Sequence, residues 1–222
     1  MKLFLDCSDV DLVHDAVNSG LIDGVTTNPS LMMKSGVDPK DAILQICQMF
    51  GWTASVSAEV VGETADEMLD MADDYIELHP NVTIKLPMSH EGLIACKELS
   101  DDGISTNVTL IFSPAPAILA AKAGATYVSP FVGRVDDNSF DGLGLIKDIA
   151  DIYTRHGVKT EILAASIRNV RDVSKAFAFG ADICTIPPLV FEKMYRHILT
   201  DKGLDTFNKD WKTLQERLGG KE

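Results

Sequence analysis

Eight short runs rich in β-branched and apolar residues alternate with helix-patterned segments along this 222-residue chain, and such alternation admits few folds. The runs cover residues 3–6, 24–27, 54–60, 82–86, 105–111, 125–131, 160–165 and 182–186. Between them, Ala42, Ile43, Ile46, Met49 and Phe50 recur at helical spacing, as do Leu143, Ile146, Ile149, Ala150 and Tyr153. Ser8, Asp38, Thr64, Ser89 and Asn169 are placed to cap helix starts, and Gly20, Gly51, Gly103, Gly124, Gly157 and Gly180 to stop helices before the next strand. Eight βα units with short connections predict an α/β fold, a single (β/α)8 TIM barrel, with an open doubly wound sheet as the weaker alternative. Residues 189–199 and 205–218 read as an eighth helix and an extra C-terminal helix. Phe207 and Trp211 on the latter suit packing either within the subunit or against a neighbour.

No Pro/Ser-rich linker or charge run divides the chain, so one domain over residues 1–222 is expected. The formal charge of −13 argues against binding nucleic acid or an anionic membrane surface, which require a basic face. No apolar stretch approaches the roughly 20 residues of a membrane helix, and the start Met1-Lys2-Leu3-Phe4-Leu5-Asp6 lacks the pattern of a secretory signal, so a cytoplasmic location is expected. Cys7, Cys47, Cys96 and Cys184 stand singly and the histidines show no metal-ligand spacing, which predicts reduced, mostly buried thiols and no metal site.

Lys85 stands out within Val82-Thr83-Ile84-Lys85-Leu86-Pro87. Burial disfavours an ammonium relative to the free amine, which makes a lysine in an apolar strand a candidate Schiff-base nucleophile. The plainer possibility is an edge lysine reaching solvent. Strand alternation places Thr83 and Pro87 on the face of Lys85, with Ile84 and Leu86 toward the helices. The same parity sends inward Asp6 after Phe4, Thr26 with Asn28, Glu59 after Ser57, Thr109 after Asn107, Phe131 after Ser129, and Ser166 after Ala164. Singly these are ordinary caps, turn formers and strand residues. Together they gather an acid pair, Asp6 and Glu59, around a lysine, which is what imine chemistry uses for proton transfer. Arg134 and Arg168 follow the sixth and seventh strands, where guanidinium forks suit a phosphate and surface ion pairing is the competing role.

The segments Gly24-Val25-Thr26-Thr27-Asn28-Pro29-Ser30-Leu31, Val82-Thr83-Ile84-Lys85-Leu86-Pro87, Asn107-Val108-Thr109-Leu110-Ile111-Phe112-Ser113, Tyr127-Val128-Ser129-Pro130-Phe131-Val132-Gly133-Arg134 and Ala164-Ala165-Ser166-Ile167-Arg168 resemble the small transaldolases, nearly end to end. That family, of class I aldolase-type barrels, also includes fructose-6-phosphate aldolases. The resemblance implies that Lys85 forms an imine with the C2 ketone of a ketose phosphate and that Asp6 takes the C4 hydroxyl proton as the C3–C4 bond breaks. It implies that Glu59, with a water held by Thr109, shuttles protons. Asn28 and Ser129 are implied to bind the retained dihydroxyacetone unit, supported by Thr26, with Asn107 and Phe131 also in the substrate-binding set. Arg134, Ser166 and Arg168 are implied to hold phosphate, and no cofactor is required.

Glu59 and Phe131 match the transaldolase branch, where the aldolase branch typically has Gln and Tyr, and Ser129 and Arg168 also resemble the transaldolase side. The expected reaction is therefore transfer of a dihydroxyacetone unit from sedoheptulose 7-phosphate to glyceraldehyde 3-phosphate, giving erythrose 4-phosphate and fructose 6-phosphate. A fructose-6-phosphate aldolase releasing free dihydroxyacetone is the alternative. Pro116 departs from the family's usual Gln. The resemblance further implies a homo-oligomer, a pentamer or decamer, with terminal helices contacting neighbours.

Overall fold

The computed structural model describes residues 1–219. Eight parallel strands follow one another around a closed barrel: β1 (Lys2–Asp6), β2 (Gly24–Thr26), β3 (Ser55–Glu59), β4 (Val82–Pro87), β5 (Thr106–Ile111), β6 (Tyr127–Pro130), β7 (Glu161–Ala164) and β8 (Ile183–Ile186). Pairing of Phe4 with Thr185 and Leu5 with Ile186 closes the ring and excludes the open sheet. Helices α1 (Val10–Val17), α2 (Pro29–Ser35) and α3 (Pro39–Gln48) follow the first two strands. Then α4 (Ala65–Ile76), α5 (His90–Asp101) and α6 (Pro114–Lys122) follow β3, β4 and β5, while α7 (Val132–Asp137) and α8 (Gly142–His156) lie between β6 and β7. After β7 come α9 (Val170–Ala178), β8, α10 (Pro188–Met194) and α11 (Ile198–Gly219).

Alternation along the strands creates two apolar layers. Leu5, Val25, Val56, Ile84, Val108, Val128 and Ile186 face the helices and join Ile43, Ile46, Met68, Ile146 and Ile149 in the main core. Full burial of an aliphatic side chain of this size contributes about 1.5–3 kcal/mol. Inside the barrel, Phe4, Tyr127, Leu163, Ala165 and Ile183 form a separate cluster. Phe4 meets Tyr127 edge-on with ring centroids 6.2 Å apart. Gly24 makes room for this plug, because a Cβ there would lie 2.8 Å from the Phe4 ring and 2.4 Å from the Ser55 carbonyl oxygen.

Asp38, Thr64, Ser89 and Asn169 cap α3, α4, α5 and α9 as expected, and Thr64 forms a capping box with Glu67. The first cap falls one residue late. Asp9, not Ser8, accepts from the Asp11 and Leu12 amides, and its negative charge also suits the positive helix end. Gly157 ends α8 at φ 63°, but α3 closes at right-handed Met49, with Phe50 N–H donating to Cys47 O, so Gly51 is not its stop. Pro116 occupies the third position of α6, where an amide has no partner within the helix, so it removes no helical hydrogen bond.

The C-terminal helices differ from the expected pair. Leu199 belongs to α11, which starts at Ile198, because the chain turns at Tyr195, the right-handed C-cap of α10. No glycine or proline marks that turn in the sequence. Helix α11 buries none of its residues, and Phe207 and Trp211 remain 71% and 60% exposed. They do not pack within the subunit. Among the described residues, no helix is long and apolar enough to cross a membrane.

Candidate active site

Strand register brings the polar residues to one end of the barrel. Glu59 pairs with Lys85 across β3 and β4, and Lys85 with Asn107 across β4 and β5. Lys85 is 5% exposed. Its Nζ lies 2.8 Å from Glu59 Oε2 and donates to Thr27 O at 3.0 Å. The edge-strand possibility is thereby excluded: this lysine is inside a closed barrel, on a carboxylate.

On β1, Asp6 accepts at 2.9 Å from the Thr26 hydroxyl, which also lies 2.6 Å from Thr185 Oγ1 on β8. Burial pushes the Asp6 carboxyl above the ordinary aspartate range, with Glu59 adding to the shift. The Lys85 ammonium and the Thr26 bond oppose it without cancelling it. Three ionisable groups therefore share one desolvated space. On β5 and β6, Ser129 Oγ donates to Asn107 Oδ1 at 2.6 Å, and Asn107 Nδ2 donates to Ser57 Oγ at 3.3 Å. Thr109 Oγ1 is buried with no hydrogen-bond partner in the protein.

A cavity of about 310 Å³ opens above this layer, lined by Asp6, Thr26, Asn28, Glu59, Ser129, Phe131, Arg134 and Ser166 among others. Its size suits a small metabolite. A larger cleft, about 950 Å³, is lined by Ile118, Ile152, Tyr153 and Val158. Lys122, His156, Lys159 and Glu161 also line it, but the first three are exposed and Glu161 is paired with Lys2, whereas Lys85 beside the smaller cavity is buried against Glu59.

The predicted residues fall into three positions. Asn28 lines the cavity and caps α2 through Oδ1, which accepts from Leu31 N–H at 3.0 Å. Lys85, Thr109 and Asn107 lie below the lining, and the Asn107 amide is engaged by Ser57 and Ser129. At the rim, Arg134 places its guanidinium carbon 4.8 Å from the Phe131 ring centre, and Phe131 meets Phe112 edge-on. Arg168 lies outside the lining, its guanidinium held by both carboxylate oxygens of Asp137 on α7.

The parity expected for β7 is corrected. Leu163 and Ala165 face inward while Ala164 joins the outer layer, so alternation would carry Ser166 outward. Ser166 instead takes φ 57°, a left-handed turn that brings it to the cavity. Thr185 and Leu110 also line the cavity but were not among the expected groups. Thr185 was visible as the polar residue on the face opposite Cys184 and Ile186; Leu110 depends on an irregularity in β5 that no sequence signal marks. All four cysteines are buried thiols, with Cys47 and Cys184 pushed up to about 12 by desolvation.

Fold and site together define a class: an aldolase-type (β/α)8 barrel with its polar groups at the carboxyl ends of the strands. The Transaldolase/Fructose-6-phosphate aldolase family pattern matches residues 3–218. The chain belongs to that family. It is 52% identical over 211 residues to a "Probable transaldolase" of Caulobacter vibrioides, covering 95% of this chain and 96% of that one. A "Probable transaldolase" of Symbiobacterium thermophilum is 50% identical over 218 residues, and one of Paracoccus denitrificans 48% identical over 218, each covering 98% of this chain and 100% of the relative.

Proposed function

We propose that this enzyme is a transaldolase that moves a dihydroxyacetone unit from sedoheptulose 7-phosphate to glyceraldehyde 3-phosphate through an imine at Lys85. The observation carrying this reading is Lys85 on the Glu59 carboxylate, inside the barrel, with the Asp6 carboxyl close enough to feel its charge. Full-length similarity to proteins named probable transaldolases supports it independently.

In this mechanism the Lys85 amine adds to the C2 ketone, and loss of water gives an iminium whose positive nitrogen is the electron sink. Asp6 accepts the C4 hydroxyl proton while the C3–C4 electron pair moves toward that nitrogen. The aldose phosphate departs and an enamine remains. Glu59 and a water held by Thr109 carry protons as the carbinolamine forms and dehydrates. Asn28 and Ser129 bind the retained hydroxyls, with Thr26 and Asn107 holding their neighbours in place. Arg134, Ser166 and Arg168 provide the phosphate corner, Arg168 exchanging Asp137 for phosphate. Phe131 offers no proton to the enamine, which persists until an aldehyde enters.

We read residues 1–222 as one catalytic domain, acting in the cytoplasm as a homo-oligomer. Leu204, Phe207, Trp211, Leu214 and Leu218 recur at three- and four-residue spacing along exposed α11, an apolar stripe suited to a neighbouring subunit. The deciding experiment measures glyceraldehyde 3-phosphate production from fructose 6-phosphate with and without erythrose 4-phosphate. Production that depends on the acceptor is expected. Equal production without it, with free dihydroxyacetone, would identify a fructose-6-phosphate aldolase instead.

A further inference from the structure

β5 carries one residue too many for its partner. Val108 pairs with Val128 and Ile111 with Pro130, so three steps along β5 match two along β6. Val108 and Ile111 are both buried in the helix-facing core. Regular alternation would put only one residue between two outward side chains; here there are two. Thr109 takes the normal inward place, and the extra residue, Leu110, adopts φ 63° and reaches the cavity lining. A bulge of this kind re-aims a side chain, and bulges concentrate beside active sites.

This conformation is unusual for leucine. Only small or flexible residues enter the left-handed region readily, and a bulky one there is strained. Glycine would satisfy the backbone. The chain instead keeps an isobutyl group on the wall next to Thr109, whose buried hydroxyl has no protein partner. Across the strand pair, Phe131 N–H donates to Ile111 O at 3.0 Å, so the bulge and the Phe131 position are bonded together. Leu110 and Phe131 thus give the β5–β6 side of the mouth an apolar wall.

Resting on the transfer mechanism above, we propose that Leu110 is a specificity-determining residue that favours transfer over release by limiting water at the enamine. Release requires a proton at C3 and then a water at C2 of the resulting iminium, which frees dihydroxyacetone and restores the Lys85 amine. Transfer instead joins C3 to the acceptor carbonyl carbon, whose oxygen takes the proton held by Asp6, and a water at C2 of the new iminium then frees the product ketose and restores the Lys85 amine. Both routes end with that hydrolysis and differ only at C3, which takes a proton relayed by water in release and the acceptor carbon in transfer, so an apolar wall that keeps water from the enamine penalises the first.

The test compares wild type with Leu110→Gly, which suits the backbone and removes the wall, and Leu110→Asn, which tolerates the left-handed region and makes the wall polar. For each, free dihydroxyacetone without acceptor is divided by transfer product with erythrose 4-phosphate, alongside borohydride trapping at Lys85 and thermal melting. Both variants are expected to trap the adduct, melt near wild type and raise the ratio roughly tenfold, equivalent to ~1.4 kcal/mol in relative barriers. An unchanged ratio in both, or loss of adduct formation in both, would overturn the role of Leu110. Wild-type protein that shows no acceptor-dependent product would overturn the transfer mechanism itself, which is a distinguishable result.

Discussion

Glu59 and Lys85 are register partners on adjacent strands, and their side chains meet at 2.8 Å in a space that solvent barely reaches. A buried pair like this gains little net stability from its attraction but leaves a costly charge when one member is removed. Replacing Lys85 with Met is therefore expected to abolish turnover and borohydride trapping, and to destabilise the fold by about 3 kcal/mol. The Lys85→Met/Glu59→Gln double variant should recover part of that loss in chemical denaturation while staying inactive. A double variant no more stable than the single one would show that the pair is not coupled.

Asp6 gives a prediction of opposite sign. Its folded-state carboxyl is raised, so the native protein binds the proton more tightly than the unfolded chain, and stability falls as pH rises from the ordinary aspartate range through the raised value. Asp6→Asn should thus be more stable than wild type at neutral pH, with the advantage vanishing in acid. The same variant should lose C3–C4 cleavage. Melting curves across pH check the first statement, and a variant less stable at neutral pH would contradict it.

At the proposed phosphate corner, Arg168 is held by the exposed carboxylate of Asp137, which a bound phosphate would have to displace. Asp137→Asn should lower KM for fructose 6-phosphate by about threefold, the size of an exposed ion pair. Arg134→Ala should raise it by roughly tenfold or more, as expected for loss of a charge-assisted hydrogen bond. An unchanged KM in Asp137→Asn would remove Arg168 from the phosphate site.

Phe131→Tyr should raise acceptor-independent release relative to transfer, because a phenol can donate the proton that phenylalanine lacks. The same product assay reads this out. A constant ratio would mean that the aromatic ring acts only through its packing on Phe112 and Arg134.

For α11, replacing Trp211 with Glu should shift the particle to a smaller mass in analytical ultracentrifugation, with wild type sedimenting as an oligomer. A wild-type monomer would leave the apolar stripe without its proposed partner.

The barrel and most of its mouth were legible because alternation is a strong signal: an apolar neighbour on each side of Lys85 fixes which way the lysine points. The signal failed where the backbone left regular geometry. Leu110 and Ser166 enter the cavity through positive φ, which neither leucine nor serine announces in a sequence. For Arg168 the sequence offers surface ion pairing as one of two roles but cannot name the partner, because Asp137 is thirty-one residues away in the chain and adjacent only after α7 packs on the end of β7. Sequence could place α11 roughly, but exposure alone distinguishes a helix that folds back from one that stands away.

That junction between α7 and β7 is made of main chain. Val132 and Gly133 donate to the Ala165 and Ser166 carbonyl oxygens at 3.0 and 3.1 Å, and a Cβ on Gly133 would sit 2.3 Å from the second of these. The frame that sets the spacing of positions 134, 166 and 168 owes little to the side chains they carry. Those side chains can be exchanged while the frame persists, so the proposed phosphate grip can be retuned by substitution at three positions without rebuilding the barrel.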